Sequence, residues 1–153
     1  MAQNQHFIMA LDTFTTTNSK LHKYAQILAV VTSKGRKARA ISKFRRLANE
    51  KIEEWTESQK GLIATYYEVQ ENGNAKLDDS DQPILLDGAD QEEYAKERKE
   101  LDNETVVIDL TEFEPFLEFL ISGLDESDVA FGGVDADVYD ELMDQLEKLG
   151  GQA

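Results

Sequence analysis

The chain contains no cysteine and only two histidines, two prolines and one tryptophan among 153 residues. Without cysteine there is no disulfide framework and no thiolate zinc site, and two histidines are too few for a histidine-rich metal centre. No apolar run approaches the ~18 residues a membrane span requires. Met1 to Gln5 is polar and lacks the basic stretch and apolar core of a secretory signal, so export by signal peptide is not expected. The length suits one domain, since ~100–150 residues is the commonest domain size. These absences leave a soluble domain and point to no catalytic class.

Charge is the feature present in excess. Thirty-one acidic residues against 16 basic ones give −15, unevenly spread. Residues 1–50 hold nine basic and two acidic side chains, net +7, whereas residues 51–153 hold seven basic and 29 acidic, net −22. Either the basic block relieves the self-repulsion of the acidic one, or each block meets its own partner.

Hydrophobic spacing organises the chain. His6 to Leu11 reads as a strand, and Thr15 to Ser19 supplies candidate helix caps. Leu21, Tyr24, Ala25, Leu28 and Val31 then form one helical face, with Gly35 placed as its stop. From Arg36 to Val69 one long helix is expected, roughly 50 Å at ~1.5 Å per residue. Ile41, Ala48, Trp55, Leu62 and Val69 recur every seven residues along it, but Arg45 and Gln59 weaken a coiled-coil seam and favour a helical hairpin with the preceding helix. Gly61 could mark a kink. Glu71-Asn72-Gly73-Asn74 is a turn signal, and Lys76 to Asp90 reads as an acidic loop or small hairpin, the most mobile part expected. Asp90 and Glu93 have the form of a capping box for a charged helix ending near Leu101. Thr105 to Ile108 reads as a strand. Pro115 opens a helix that Gly123 should end, and Asp135 or Asp137 should cap a last helix after Gly132-Gly133.

Chemistry finds little footing. His6 and His22 have no nameable catalytic partners. Asp78, Asp79, Asp81 and Asp87 suggest a calcium loop, but counting from Asp79 puts Pro83 at the fifth position, Ile84 at the sixth and Asp90 at the twelfth, so the EF-hand pattern fails. Close carboxylate pairs such as Glu112/Glu114 and Asp135/Asp137 are expected by chance among so many acids. No cofactor, metal or catalytic residue is assigned. The best binding candidates are Arg36, Arg39, Lys43 and Arg46, spaced 3, 4 and 3 on one helical face, together with the acidic Asp78, Asp79 and Asp81. Such a basic face could track phosphates or meet acidic side chains of a protein. The −22 elsewhere disfavours direct nucleic-acid binding and could itself imitate a phosphate backbone.

The order of features resembles a family of small phage and prophage proteins of Gram-positive bacteria, the domain of unknown function 1617. The matching pieces are Lys37 to Tyr67, Glu71 to Asn74, Glu92 to Leu101 and Glu104 to Leu110; Trp55, the acidic insert of residues 78–90 and Gly132-Gly133 depart from the pattern. The resemblance implies a phage origin, hence the host cytoplasm or the virion, and transfers no catalytic residues.

The expected fold is α+β and predominantly α-helical, a helical hairpin with one long helix packed on a small sheet from strands near residues 6–12 and 104–110. It is expected as one domain, residues 1–153, divided into 1–70 (strand plus hairpin), an acidic loop at 71–90 and an acidic α/β portion at 91–150. The expected function is a non-enzymatic, phage-encoded protein-binding module in virion assembly or an accessory role, with a phage or host protein as partner, no membrane, and self-association left open. The alternative is an acidic DNA mimic that inhibits a host nucleic-acid enzyme. A carboxylate and metal enzyme is the third reading.

Overall fold

A computed structural model describes residues 13–151. The elements, in chain order, are β1 (Thr13–Thr17), α1 (Asn18–Val30), α2 (Gly35–Tyr66), α3 (Gln91–Asp102), β2 (Thr105–Asp109), α4 (Glu114–Asp125) and α5 (Gly133–Gly151). The fold is α+β and predominantly helical, with a two-stranded antiparallel sheet among the described residues. The strand expected at His6 to Leu11 lies outside those residues.

The chain divides into two compact units. The first takes in the described residues of Met1–Lys51 and Thr105–Ala153, the second Ile52–Glu104. The expected internal boundaries near 70 and 90 do not coincide with this division, and α2 supplies residues to both units.

In the first unit β1 pairs with β2 so that Phe14 faces Ile108 and Thr16 faces Val106. These four side chains are buried while Thr105, Val107 and Asp109 are exposed, and Thr15 likewise, the alternation of a half-covered sheet. Thr15 and Thr16 therefore pair as strand where helix-cap chemistry is expected from sequence, because β-branched side chains suit a pleated surface. Only Thr17 caps, accepting from the Lys20 amide at 3.4 Å. A chain of edge-on rings runs through the core: Tyr24 to Phe14 at 6.1 Å, Phe14 to Phe44 at 5.3 Å, and Phe44 to Phe113 at 5.7 Å. Leu21 and Leu28 of α1, Leu120 and Leu124 of α4, and Leu142 and Leu146 of α5 are all fully buried. Helix α1 packs on α5 and on both strands, and α4 packs on α5.

Three glycines differ from expectation. Gly35, at φ +57°, opens α2 and does not close α1, which ends where Val31 turns extended. Gly123 lies inside α4, because a Cβ there would stand 3.0 Å from the Lys37 Cβ and the two helices could not approach. Gly133, at φ +56°, starts α5, leaving Asp135 inside the first turn and not as its cap. Pro115 sits in the first turn of α4 as its missing N–H predicts.

In the second unit α2 continues through Gly61 and ends at Tyr66, three residues before the expected Val69. Asp90 caps α3 as expected, accepting from the Glu92 amide at 2.9 Å. Helix α3 has no buried residue and meets its neighbours both through the Tyr94 ring, edge-on to Tyr66 at 5.8 Å and to Tyr67 at 5.1 Å, and through polar contacts. Arg98 donates to Asp102 at 3.0 Å and to Gln59 of α2 at 2.9 Å, the Trp55 indole donates to the same carboxylate at 3.1 Å, and the Tyr66 hydroxyl donates to Glu97 at 2.9 Å. Gln59, a blemish in the heptad pattern, is thus a ligand for the arginine of the neighbouring helix.

The segment expected as an acidic loop is a hydrogen-bonded element with approximate threefold repetition. The Glu68 amide donates to Ile84, Lys76 to Glu68 and Ile84 to Lys76, a cycle through residues eight apart, with all three bonds between 2.8 and 3.0 Å. The repetition extends outward, with Gln70 donating to Asn74, Asp78 to Gln82 and Leu86 to Tyr66. Each repeat turns through a residue of positive φ, namely Gly73, Asp81 and Gly88. Three short extended segments close into a triangle, which leaves no sheet edge within the element unpaired.

Candidate functional site

Arg36, Arg39, Lys43 and Arg46 lie along α2 in the first unit, as the helical spacing predicts. Helix α4 brings Phe116 and Phe119 to the same face. The Lys43 ammonium stands 4.6 Å from the Phe116 ring centroid and the Arg36 guanidinium 5.8 Å from that of Phe119, both cation–π contacts. The rings are half-buried, so each cation has an apolar floor beneath it. The sequence pattern singles out the four cations and not the two rings. A signal for the rings exists in the i, i+3 spacing of Phe113, Phe116 and Phe119 along one helical face.

Two depressions flank this face. A cleft of about 630 Å³ is lined by Ser33, Lys34, Arg36, Lys37, Phe119, Glu126 and Asp128. A shallower groove of about 220 Å³ is lined by Lys43, Arg46, Leu47, Glu50, Glu112 and Phe116. Acidic residues of the C-terminal block already answer part of the basic charge, since Lys37 pairs with Glu126 and Lys20 with Glu141 at 2.9 Å. The Lys20 ammonium, burial of the carboxylate opposing it, holds Glu141 below its usual carboxylate pKa. Arg39 and Arg46 are exposed and form no ion pair with the described residues. Charge compensation within the unit is therefore real but incomplete, and it leaves Arg39 and Arg46 exposed on the helical face whose Arg36 and Lys43 lie over aromatic rings.

Asp78, Asp79 and Asp81 lie in the second unit, on one turn of the triangular element. Asp78 is occupied structurally, its carboxylate accepting from the amides of Ser80 at 2.8 Å and Gln82 at 3.0 Å. Asp81 holds the positive-φ position of that turn. Asp79 is exposed. Among the described residues no three histidine, aspartate or glutamate side chains converge as metal ligands, and no helix is long and apolar enough to cross a membrane. His22 is exposed on α1.

No family model, curated protein or solved structure matches the chain.

Proposed function

We infer that the protein is a non-enzymatic protein-binding module, encoded by a phage and serving virion assembly or an accessory role. The phage assignment rests on the resemblance in sequence pattern. The binding reading is carried by one observation: Arg39 and Arg46 stand free and exposed on a helical face whose other two cations lie over aromatic rings. Arginine beside an aromatic floor is the composition of protein-binding surfaces, because the guanidinium forks onto a carboxylate while the ring supplies apolar area. The partner is a protein segment that carries carboxylates next to apolar side chains.

Retention of proteins from host lysate and from disrupted phage particles, on immobilised wild-type protein and on Arg39→Glu/Arg46→Glu, tests the reading. A specific partner held by the wild type and lost by the variant supports it. If the two columns retain the same proteins, the basic face is not the binding surface. Retention of a basic host nucleic-acid enzyme equally by both columns, abolished by salt, would favour the DNA-mimic alternative.

A further inference from the structure

The triangular element of the second unit has two faces. Residues paired across antiparallel bridges share a face, and the bridges join Tyr67 to Leu85, Val69 to Ala75 and Leu77 to Pro83. All six side chains on that face are apolar or aromatic. Tyr67 is covered by Tyr94, ring to ring at 5.1 Å. Leu77 remains 52% exposed and Leu85 38%, and both rank among the few large hydrophobic residues so exposed among the described residues. Asp78, Asp79, Asp81 and Asp87, all exposed, stand on the turns around this face. Across residues 67–90 seven acidic side chains face a single lysine, net −6.

An apolar face rimmed by one sign of charge selects an occupant that is apolar at its centre and cationic at its margin. The chain carries such a surface itself, in the first unit: Phe116 and Phe119 beneath Lys43 and Arg36, with Arg39 and Arg46 unpaired. The dimensions agree. Arg36 to Arg46 spans ~15 Å of helix, and three short segments at ~4.8 Å spacing present a face on the order of 10 Å across.

The geometry points to head-to-tail self-association, in which the apolar face of the triangle of one copy seats on the basic, aromatic face of α2 and α4 of a second copy. The two surfaces differ, so each copy keeps one surface free after pairing and the pair keeps one of each, and the contact generates an open chain or a ring. This inference rests on the reading of the α2 face as a protein-binding surface and names a second copy of the chain as what binds there.

Sedimentation velocity of the full chain over a concentration series tests it, with salt at about 50 mM and about 500 mM, between which the Debye length falls from roughly 14 Å to roughly 4 Å. The expected result is concentration-dependent oligomers that weaken at least about fivefold at the higher salt. Leu77→Glu/Leu85→Glu and Arg39→Glu/Arg46→Glu should each be monomeric, with circular dichroism spectra like the wild type, since all four side chains lie at the surface. Mixed, they should form a one-to-one dimer and nothing larger, because each variant retains the surface the other has lost. A wild type that stays monomeric at every concentration, or oligomers that survive either variant, overturns the inference. A monomeric wild type whose α2 face still holds a phage or host protein would remove the second copy as partner and leave the binding reading standing.

Discussion

The two units are built from the same long helix by different means. In the first, α2 meets its neighbours through rings and aliphatic side chains, with Phe44 and Ala48 fully buried at the centre. In the second, the same helix meets α3 through the polar network of Trp55, Gln59, Arg98 and Asp102 and a ring contact, Tyr66 to Tyr94, and α3 buries nothing completely. Apolar burial is non-directional and grows with area, whereas a half-exposed polar network returns only a modest net gain per bond because water competes for every group. Continuity of a helix therefore does not imply uniform stability along it. The first unit should set the global unfolding free energy and the second should open locally at lower cost.

The strongest test of that contrast is Phe44→Ala. Phe44 touches both Phe14 and Phe113, so truncation opens a cavity at the junction of β1, α2 and the start of α4. A loss of about 3–5 kcal/mol is expected in urea unfolding. A loss below about 1 kcal/mol would mean that the ring chain does not hold the first unit together.

Asp102→Ala is the matching lesion in the second unit. It removes the acceptor shared by the Trp55 indole and Arg98, at side-chain exposures of 28% for Asp102 and 31% for Arg98. Partial exposure screens the pair, so the expected loss is about 1–2 kcal/mol, confined to this unit. Trp55 is the one tryptophan in the chain, so its emission reports the change directly. Asp102→Asn keeps an acceptor for the indole and should restore the emission, but not all of the stability.

What can be read from sequence follows the same divide between local and non-local causes. The cap at Asp90, the strand at Thr105 and the proline at Pro115 depend on neighbours within a few residues, and each appears where spacing places it. The triangular element depends on closing Tyr66 onto Leu86, a contact that no local window contains. Its trace is nevertheless present in the eight-residue spacing of Val69, Leu77 and Leu85 and in the turns at Gly73 and Gly88. Gly123 misleads for a similar reason. A glycine required by close approach to Lys37 of another helix looks, in sequence, like a glycine that ends its own helix. At the candidate site the cations are legible from α2 alone, while their aromatic floor comes from α4 and needs the tertiary fold.

Gly61 offers a smaller test on the second unit's share of α2. It is exposed in the helix interior, and a Cβ added there would have no atom within 4 Å, so a methyl group meets nothing. Gly61→Ala should stabilise by about 0.5–1 kcal/mol through backbone entropy and helix propensity. Hydrogen exchange should show the gain in the α2 amides from Ile52 onward more than in the ring-packed core.

Tyr24→Phe probes the one buried side-chain polar atom among the described residues that has no hydrogen-bond partner. The Tyr24 hydroxyl is buried and has no hydrogen-bond partner of normal geometry. Burial, with Glu141 close by, pushes its pKa from 10.0 up to about 12. The folded state therefore holds this proton more tightly than the unfolded state. Its contribution is fully present below pH 10 and is lost as pH rises from 10 towards about 12. Removing the hydroxyl deletes an unpaired buried group together with that proton. At neutral pH the variant should be unchanged or more stable by up to ~1 kcal/mol. Above pH 10 it should lose stability less steeply than the wild type, as read by urea midpoints across the alkaline range. A variant that is clearly destabilised at neutral pH would show that the hydroxyl is satisfied in solution, and that the core of the first unit contains the kind of polar contact otherwise characteristic of the second.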